Sequence, residues 1–165
     1  MSSVPTLPGI SSKMIDTPRI QTHVLFSGPE TGTPVVFLHG NASSATYWEE
    51  IMLALPAGFR GIAPDLRGYG DTEDKLIDAT RGAMDWVDDV LALMDVLKIE
   101  KAHFAGHSMG GTLVFNLVAA APDRVLSGTV VNPGSPYGFG GSKGVDGQPC
   151  YDDCAGSSVS VSVSG

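Results

Sequence analysis

The sequence predicts an α/β fold: a mostly parallel sheet with helices on both faces. Three observations carry that reading. Short apolar runs without alternation, such as VVFL at 35 to 38, mark strands buried on both faces. They alternate with segments whose apolar residues recur at helical spacing. Gly- and Pro-containing turns separate the two kinds of segment, and the resulting β-α-β-α-β-α-β order implies right-handed crossovers and a parallel sheet.

The elements follow in order. Residues 1–18 read as a Pro- and Ser-rich leader, and residues 19–134 as the α/β core. RIQTHVLFS, from Arg19 to Ser27, alternates polar and apolar residues before a Gly-Pro turn, as expected of a half-exposed edge strand or hairpin. The VVFL strand ends at His39-Gly40. A helix is expected next, with Ser43 or Ser44 as its cap and Tyr47, Trp48, Ile51, Met52 and Leu55 at helical spacing until Pro56. Arg60 to Ala63 reads as a short strand, and Pro64 to Gly70 as a Gly-rich loop too flexible to belong to either neighbour.

Between Arg81 and Leu97 the residues Met84, Val87, Val90, Leu91, Met94 and Leu97 form one apolar stripe, with Asp85, Asp88, Asp89 and Asp95 mostly elsewhere. Lys101 to Gly106 is the next strand, Gly110 to Ala121 a helix stopped by Pro122, and Val125 to Val131 the last strand of the core. From 135 to 165 the periodicity disappears. A Gly-rich stretch reads as a loop or the opening of a lid, and the Ser/Val tail from Ser157 is low in complexity.

Composition narrows the function classes. A formal net charge of -8 leaves no basic surface for phosphates, so no nucleic-acid partner is expected. The most apolar window, Leu113 to Ala121, is far below the ~20 residues that span a bilayer and contains Asn116, and the leader has no signal-peptide core. A soluble, cytoplasmic protein without membrane partner is the expectation. The two cysteines, Cys150 and Cys154, have no nearby histidine or second pair to complete a zinc site, so free thiols and no metal are expected. No cofactor is expected either. Gly138 to Gly144 misses the G-x-G-x-x-G spacing of a nucleotide-binding turn and follows no strand directly.

Gly106-His107-Ser108-Met109-Gly110 matches G-x-S-x-G, and it follows a predicted strand and opens a predicted helix. Such a turn brings the positions two before and two after the serine so close that a Cβ would clash, hence Gly106 and Gly110. Ser108 is then presented at the C-terminal edge of the sheet, where open α/β folds place their ligands. His39-Gly40-Asn41, at the end of the VVFL strand, lies where a second loop faces that edge. The backbone N–H of Met109, with that of Asn41 or Ala42, is then placed to receive a carbonyl oxygen as it becomes negative. Trp48 and Tyr69 are candidates to line an apolar pocket near Ser108, with core packing the commoner role for the tryptophan.

HGNASSATYW, PDLRGYGDT and GHSMGG, in this order and spacing, resemble the α/β-hydrolase superfamily, in particular its esterase, epoxide hydrolase and haloalkane dehalogenase branches. The resemblance implies Ser108 as the catalytic nucleophile, Asn41 and Met109 as the oxyanion hole, and His39, Gly40, Gly106 and Gly110 as the supporting turns. Epoxide hydrolases and dehalogenases carry an aspartate at the elbow, so a serine there implies acyl transfer from a small-molecule ester, thioester, lactone or amide.

The family's triad runs Ser, then Asp or Glu, then His. All four histidines here, His23, His39, His103 and His107, precede Ser108, and the strand after the elbow helix ends in Asn132 where some relatives carry the acid. The expectation is a sheet that breaks off after the family's sixth strand, with weak or no activity. The competing expectation is a non-catalytic α/β-hydrolase-like ligand-binding module or a truncated fragment. A last strand left without its neighbour exposes an apolar edge open to self-association.

Overall fold

The computed structural model describes residues 6–134, together with two short strands at Ser142–Lys143 and Gln148–Pro149. Six strands make one sheet: β1 (Ser11–Asp16), β2 (Gln21–Ser27), β3 (Thr33–Leu38), β4 (Phe59–Pro64), β5 (Ala102–His107) and β6 (Val125–Val131). Their spatial order is β1-β2-β4-β3-β5-β6. β1, β2 and β4 pair antiparallel, and every pairing among β4, β3, β5 and β6 is parallel. The expected mostly parallel sheet is therefore present, with three α-helices among the described residues: α1 (Glu49–Leu53), α2 (Met84–Val96) and α3 (Met109–Ala120).

Alternation along the strands sorts the core into two layers. Val24, Phe26, Val36, Leu38, Ile62 and Phe104 pack with Val87, Val90, Leu93 and Met94 of α2 and Leu113, Val114 and Leu117 of α3. The intervening Leu25, Val35, Phe37 and Ala63 face the other way, onto Trp48 and Met52. Trp48 is thus a core residue, its ring 5.2 Å from that of Phe37.

The structure corrects four local expectations. Ser11–Asp16, read from the sequence as leader, is an edge strand, and its partners are fixed by β2 rather than by any pattern of its own. With β1 outside it, β2 is an interior strand, buried from Thr22 to Ser27 instead of half-exposed. Two of its buried polar side chains are hydrogen-bonded: the Ser27 hydroxyl donates to the Met52 carbonyl, and His23 Nδ1 meets Asp65 Oδ2. The helix after β3 begins as a 3-10 turn at Ala45–Trp48, and Ser44 makes no side-chain cap. The Pro64 to Gly70 loop is held closely: Asp65, Leu66 and Arg67 are buried, and the Trp86 indole donates to the Arg67 carbonyl.

The acidic residues of α2 are also more engaged than a solvated face. Arg67 donates from Nε and Nη2 to both Asp89 oxygens, each at 2.7 Å. Arg19 reaches Asp89 and Asp85, and Arg81 reaches Asp85 and Asp88. The network joins the turn before β2, the loop after β4 and the start of α2.

Residues 134–165 form a separate unit, in which Ser142–Lys143 pairs antiparallel with Gln148–Pro149. The remainder of the Gly-rich stretch, Asp146, Asp152, Asp153, Cys150, Cys154 and the Ser/Val tail lie outside the described residues. Among the described residues no helix is long and apolar enough to cross a membrane. Nor do three or more His, Cys, Asp or Glu residues gather there as a metal site.

Candidate active site

The C-terminal edge of the parallel strands gathers the chain's backbone strain. Four described non-glycine residues have positive φ, and Ala42, Ser108 and Asn132 of these follow β3, β5 and β6. Ser108 itself sits at φ 53°, ψ −115°, between the end of β5 and the start of α3. Such a conformation costs about 1–3 kcal/mol and persists only where its surroundings impose it. Here the Ser108 N–H donates to the Val131 carbonyl at 3.0 Å, while the Ser108 carbonyl accepts from the Thr112 N–H and opens the helix.

The flanking glycines are required by close approach. A Cβ on Gly106 would collide with the Gly110 backbone, and one on Gly110 with the Leu38 carbonyl. β3, β5 and α3 therefore meet at van der Waals distance beneath Ser108. Gly40 closes the contact from the other loop, since a Cβ there would lie 3.0 Å from His107 Nδ1 and 3.2 Å from Ser108 Cβ.

Met109 is the first residue of α3, so its N–H has no acceptor within the helix and points out at the positive end of the helix. Asn41 and Ala42 approach from the loop after β3, Ala42 in the left-handed region at φ 52°. Tyr69 ties the two sides together: its hydroxyl donates to Asn41 Oδ1 at 2.7 Å and lies 3.8 Å from Met109 Sδ. The sequence suggests Tyr69 as an apolar pocket-lining residue and gives no sign of this polar role. Its hydrogen bond spans 28 residues and has no local signature.

The four histidines are all committed elsewhere. His39 is fully buried; its Nδ1–H donates to the Gly40 carbonyl at 2.8 Å and its Nε2 accepts the Leu66 N–H at 3.0 Å. Burial outweighs these partners and pushes its pKa down, so the ring is neutral. The His107 ring stacks on Tyr47 with centroids 4.9 Å apart, and His103 Nδ1 is 2.8 Å from the Ser127 hydroxyl. His23, on β2, joins Asp65 Oδ2 through Nδ1 at 2.7 Å and Ser12 Oγ through Nε2 at 2.7 Å. None of the described residues hydrogen-bonds the Ser108 hydroxyl as a base would.

Asp65 is the polar anchor of this edge and was not singled out from the sequence. It accepts N–H bonds from Ala45 and Asp71 as well as the His23 bond. Burial pushes its carboxyl up, but His23 and the two backbone donors pull harder, and the net value lies below the ordinary 3.8. The same hydrogen bond raises His23 above its ordinary 6.5 against the effect of burial. The left-handed Gly70, at φ +54°, leaves no room for a Cβ against this carboxylate. The PDLRGYG run is thus a set of fixed partners.

A mostly parallel sheet that lifts a serine on a strained strand-to-helix turn defines a class of α/β folds. The chain belongs to the alpha/beta hydrolase fold family, whose pattern matches residues 33–144. It is 34% identical over 118 residues to an uncharacterized carboxylesterase of Bacillus subtilis, covering 71% of this chain and 39% of that protein. It is 37% identical over 112 residues to epoxide hydrolase 3 of Siraitia grosvenorii, covering 67% and 35%. A 46% identity over 101 residues links it to the dihydrolipoyllysine-residue acetyltransferase component of the acetoin cleaving system of Pseudomonas putida, covering 61% of this chain and 26% of that protein. Among solved structures, an epoxide hydrolase of Vigna radiata superposes with a TM-score of 0.69 at 30% identity, covering 77% of this chain and 39% of that one. The chain thus spans between 26% and 39% of the length of these curated relatives.

Proposed function

We propose that this chain is the nucleophile-bearing part of a serine hydrolase that cleaves a carboxylic ester through an acyl-enzyme on Ser108. The observation that carries the reading is the strained elbow with serine, and not aspartate, at its apex. Ser108 Oγ attacks the ester carbonyl, the developing oxyanion is received by the N–H of Met109 and that of Asn41 or Ala42, and the alcohol departs. Water then releases the acid. Each oxyanion donor contributes about 3 kcal/mol of transition-state stabilisation in sites of this kind.

The proton from Ser108 needs an acceptor; His23, His39 and His103 are hydrogen-bonded to other partners, and His107 stacks on Tyr47 with no hydrogen bond to the Ser108 hydroxyl among the described residues. Turnover by these 165 residues alone is therefore slow; in a serine protease, loss of the base costs about a million-fold. A fluorophosphonate probe tests the reading directly. We expect a Ser108 adduct that disappears in Ser108→Ala, together with ester hydrolysis only slightly above background. Absence of any Ser108 adduct at millimolar probe would sink the acyl-enzyme reading. Saturable binding of an ester analogue that survives Ser108→Ala, without turnover, would favour a ligand-binding module instead.

A further inference from the structure

We propose that Ser12 is a second activated serine, made nucleophilic by the buried His23–Asp65 pair, and that it takes an acyl or phosphonyl group from small activated esters. The connectivity is that of a serine relay. Ser12 Oγ lies 2.7 Å from His23 Nε2, and His23 Nδ1 lies 2.7 Å from Asp65 Oδ2. A carboxylate only accepts, so Nδ1 carries a proton toward Asp65, and in the neutral ring, at pH above the raised pKa of His23, Nε2 keeps its lone pair for the Ser12 O–H. Asp65 is itself fixed by the Ala45 and Asp71 N–H groups, which prevents it from turning away.

The fold explains how these residues meet. β1 and β2 run antiparallel with Ser12 opposite Leu25 and Met14 opposite His23. Ser12 and His23 are therefore diagonal neighbours on one face of the pair. His23 is 3% exposed and Asp65 is 3% exposed, whereas Ser12 is exposed on the outermost strand. A shielded base and acid thus act on a hydroxyl that solvent-borne reagents reach. The raised pKa of His23 agrees with its hold on Asp65. Asp65 is shared with the loops that frame the Ser108 edge, but Ser12 itself lies on the exposed edge strand, a position that suits small reagents better than a bulky natural ester.

With an aryl ester, Ser12 Oγ bonds to the carbonyl carbon as its proton moves to His23 Nε2. The C–O bond to the aryl group then breaks, and the aryloxide leaves with that proton. With diisopropyl fluorophosphate the O–P bond forms, the P–F bond breaks, and fluoride and the proton depart to solvent.

Two serines of the same chain serve as controls. Ser11 is an exposed neighbour on the same strand. Ser127 has a histidine partner in His103, but among the described residues no carboxylate hydrogen-bonds that ring. The experiment treats the intact chain with diisopropyl fluorophosphate and follows each serine by peptide mass spectrometry. General-base assistance of about 100-fold is expected for Ser12 over Ser11 and Ser127, falling to about equal rates in His23→Gln and in urea-unfolded protein. Equal rates at Ser11 and Ser12 in the native chain overturn the proposal. So does a Ser12 excess that survives unfolding, which keeps the test decisive even where His23→Gln does not fold. Ser108 reports from a different peptide, so its result stands apart.

Discussion

His23 and His39 titrate in opposite senses, and together they shape the dependence of stability on pH. His23 is raised above 6.5 in the folded state by its bond to Asp65, so its contribution is complete below 6.5 and is lost as pH rises through the raised value. His39 is lowered by burial, so its contribution is complete above 6.5 and is lost as pH falls toward the lowered value. Asp65 adds a further loss at lower pH, as its carboxylate is protonated below the ordinary 3.8. Stability is therefore expected to peak near pH 6.5, with an alkaline limb owed to His23. Urea midpoints measured across pH will show that limb, and His23→Gln will flatten it while leaving the His39 part of the acid limb and weakening the Asp65 part.

Among the elements, α2 is the one whose placement depends most on charge. Asp89 faces two guanidinium groups, from Arg19 and Arg67, and is itself buried. Removing one partner of a buried ion pair leaves charge without compensation, at a cost of about 3 kcal/mol or more. Asp89→Asn is therefore expected to lower unfolding free energy by that amount in urea titration. Sequence reading found α2 by its apolar stripe, because helical periodicity is a local property. It could not find Arg19 and Arg67 as partners, since they lie 70 and 22 residues away in the chain. The same distinction explains the site. Gly106, Ser108 and Gly110 were legible because the elbow is one short turn, whereas Tyr69, Asp65 and His23 acquire their meaning only through contacts between loops. β1 was hidden for a related reason: SSKMID has no alternating pattern of its own, and its strand exists by pairing with β2.

At the scale of the whole molecule, the sheet has two unequal margins. β1 closes one side with a short hairpin, while β6 forms the other and is mostly exposed. Phe115, Val118, Leu126 and Val131 remain at least 39% exposed on α3 and β6. VLSGTVV carries no charge to discourage pairing with another chain. We expect concentration-dependent association of this chain through that margin, measured by sedimentation velocity. Leu126→Lys should shift the distribution toward monomer; an unchanged distribution would place the contact elsewhere.

The hydrogen bond from Ser108 to Val131 gives that margin a further meaning. The amide of Ser108 is tethered to the outermost strand and not to the centre of the sheet. Each transient detachment of β6 releases the tether, and the strain stored at Ser108 then favours relaxation out of the left-handed turn. Deuterium uptake at the Ser108 amide is accordingly a clock for this turn: it counts how often the peripheral strand lets go, and hence what fraction of molecules holds the strained conformation at any moment.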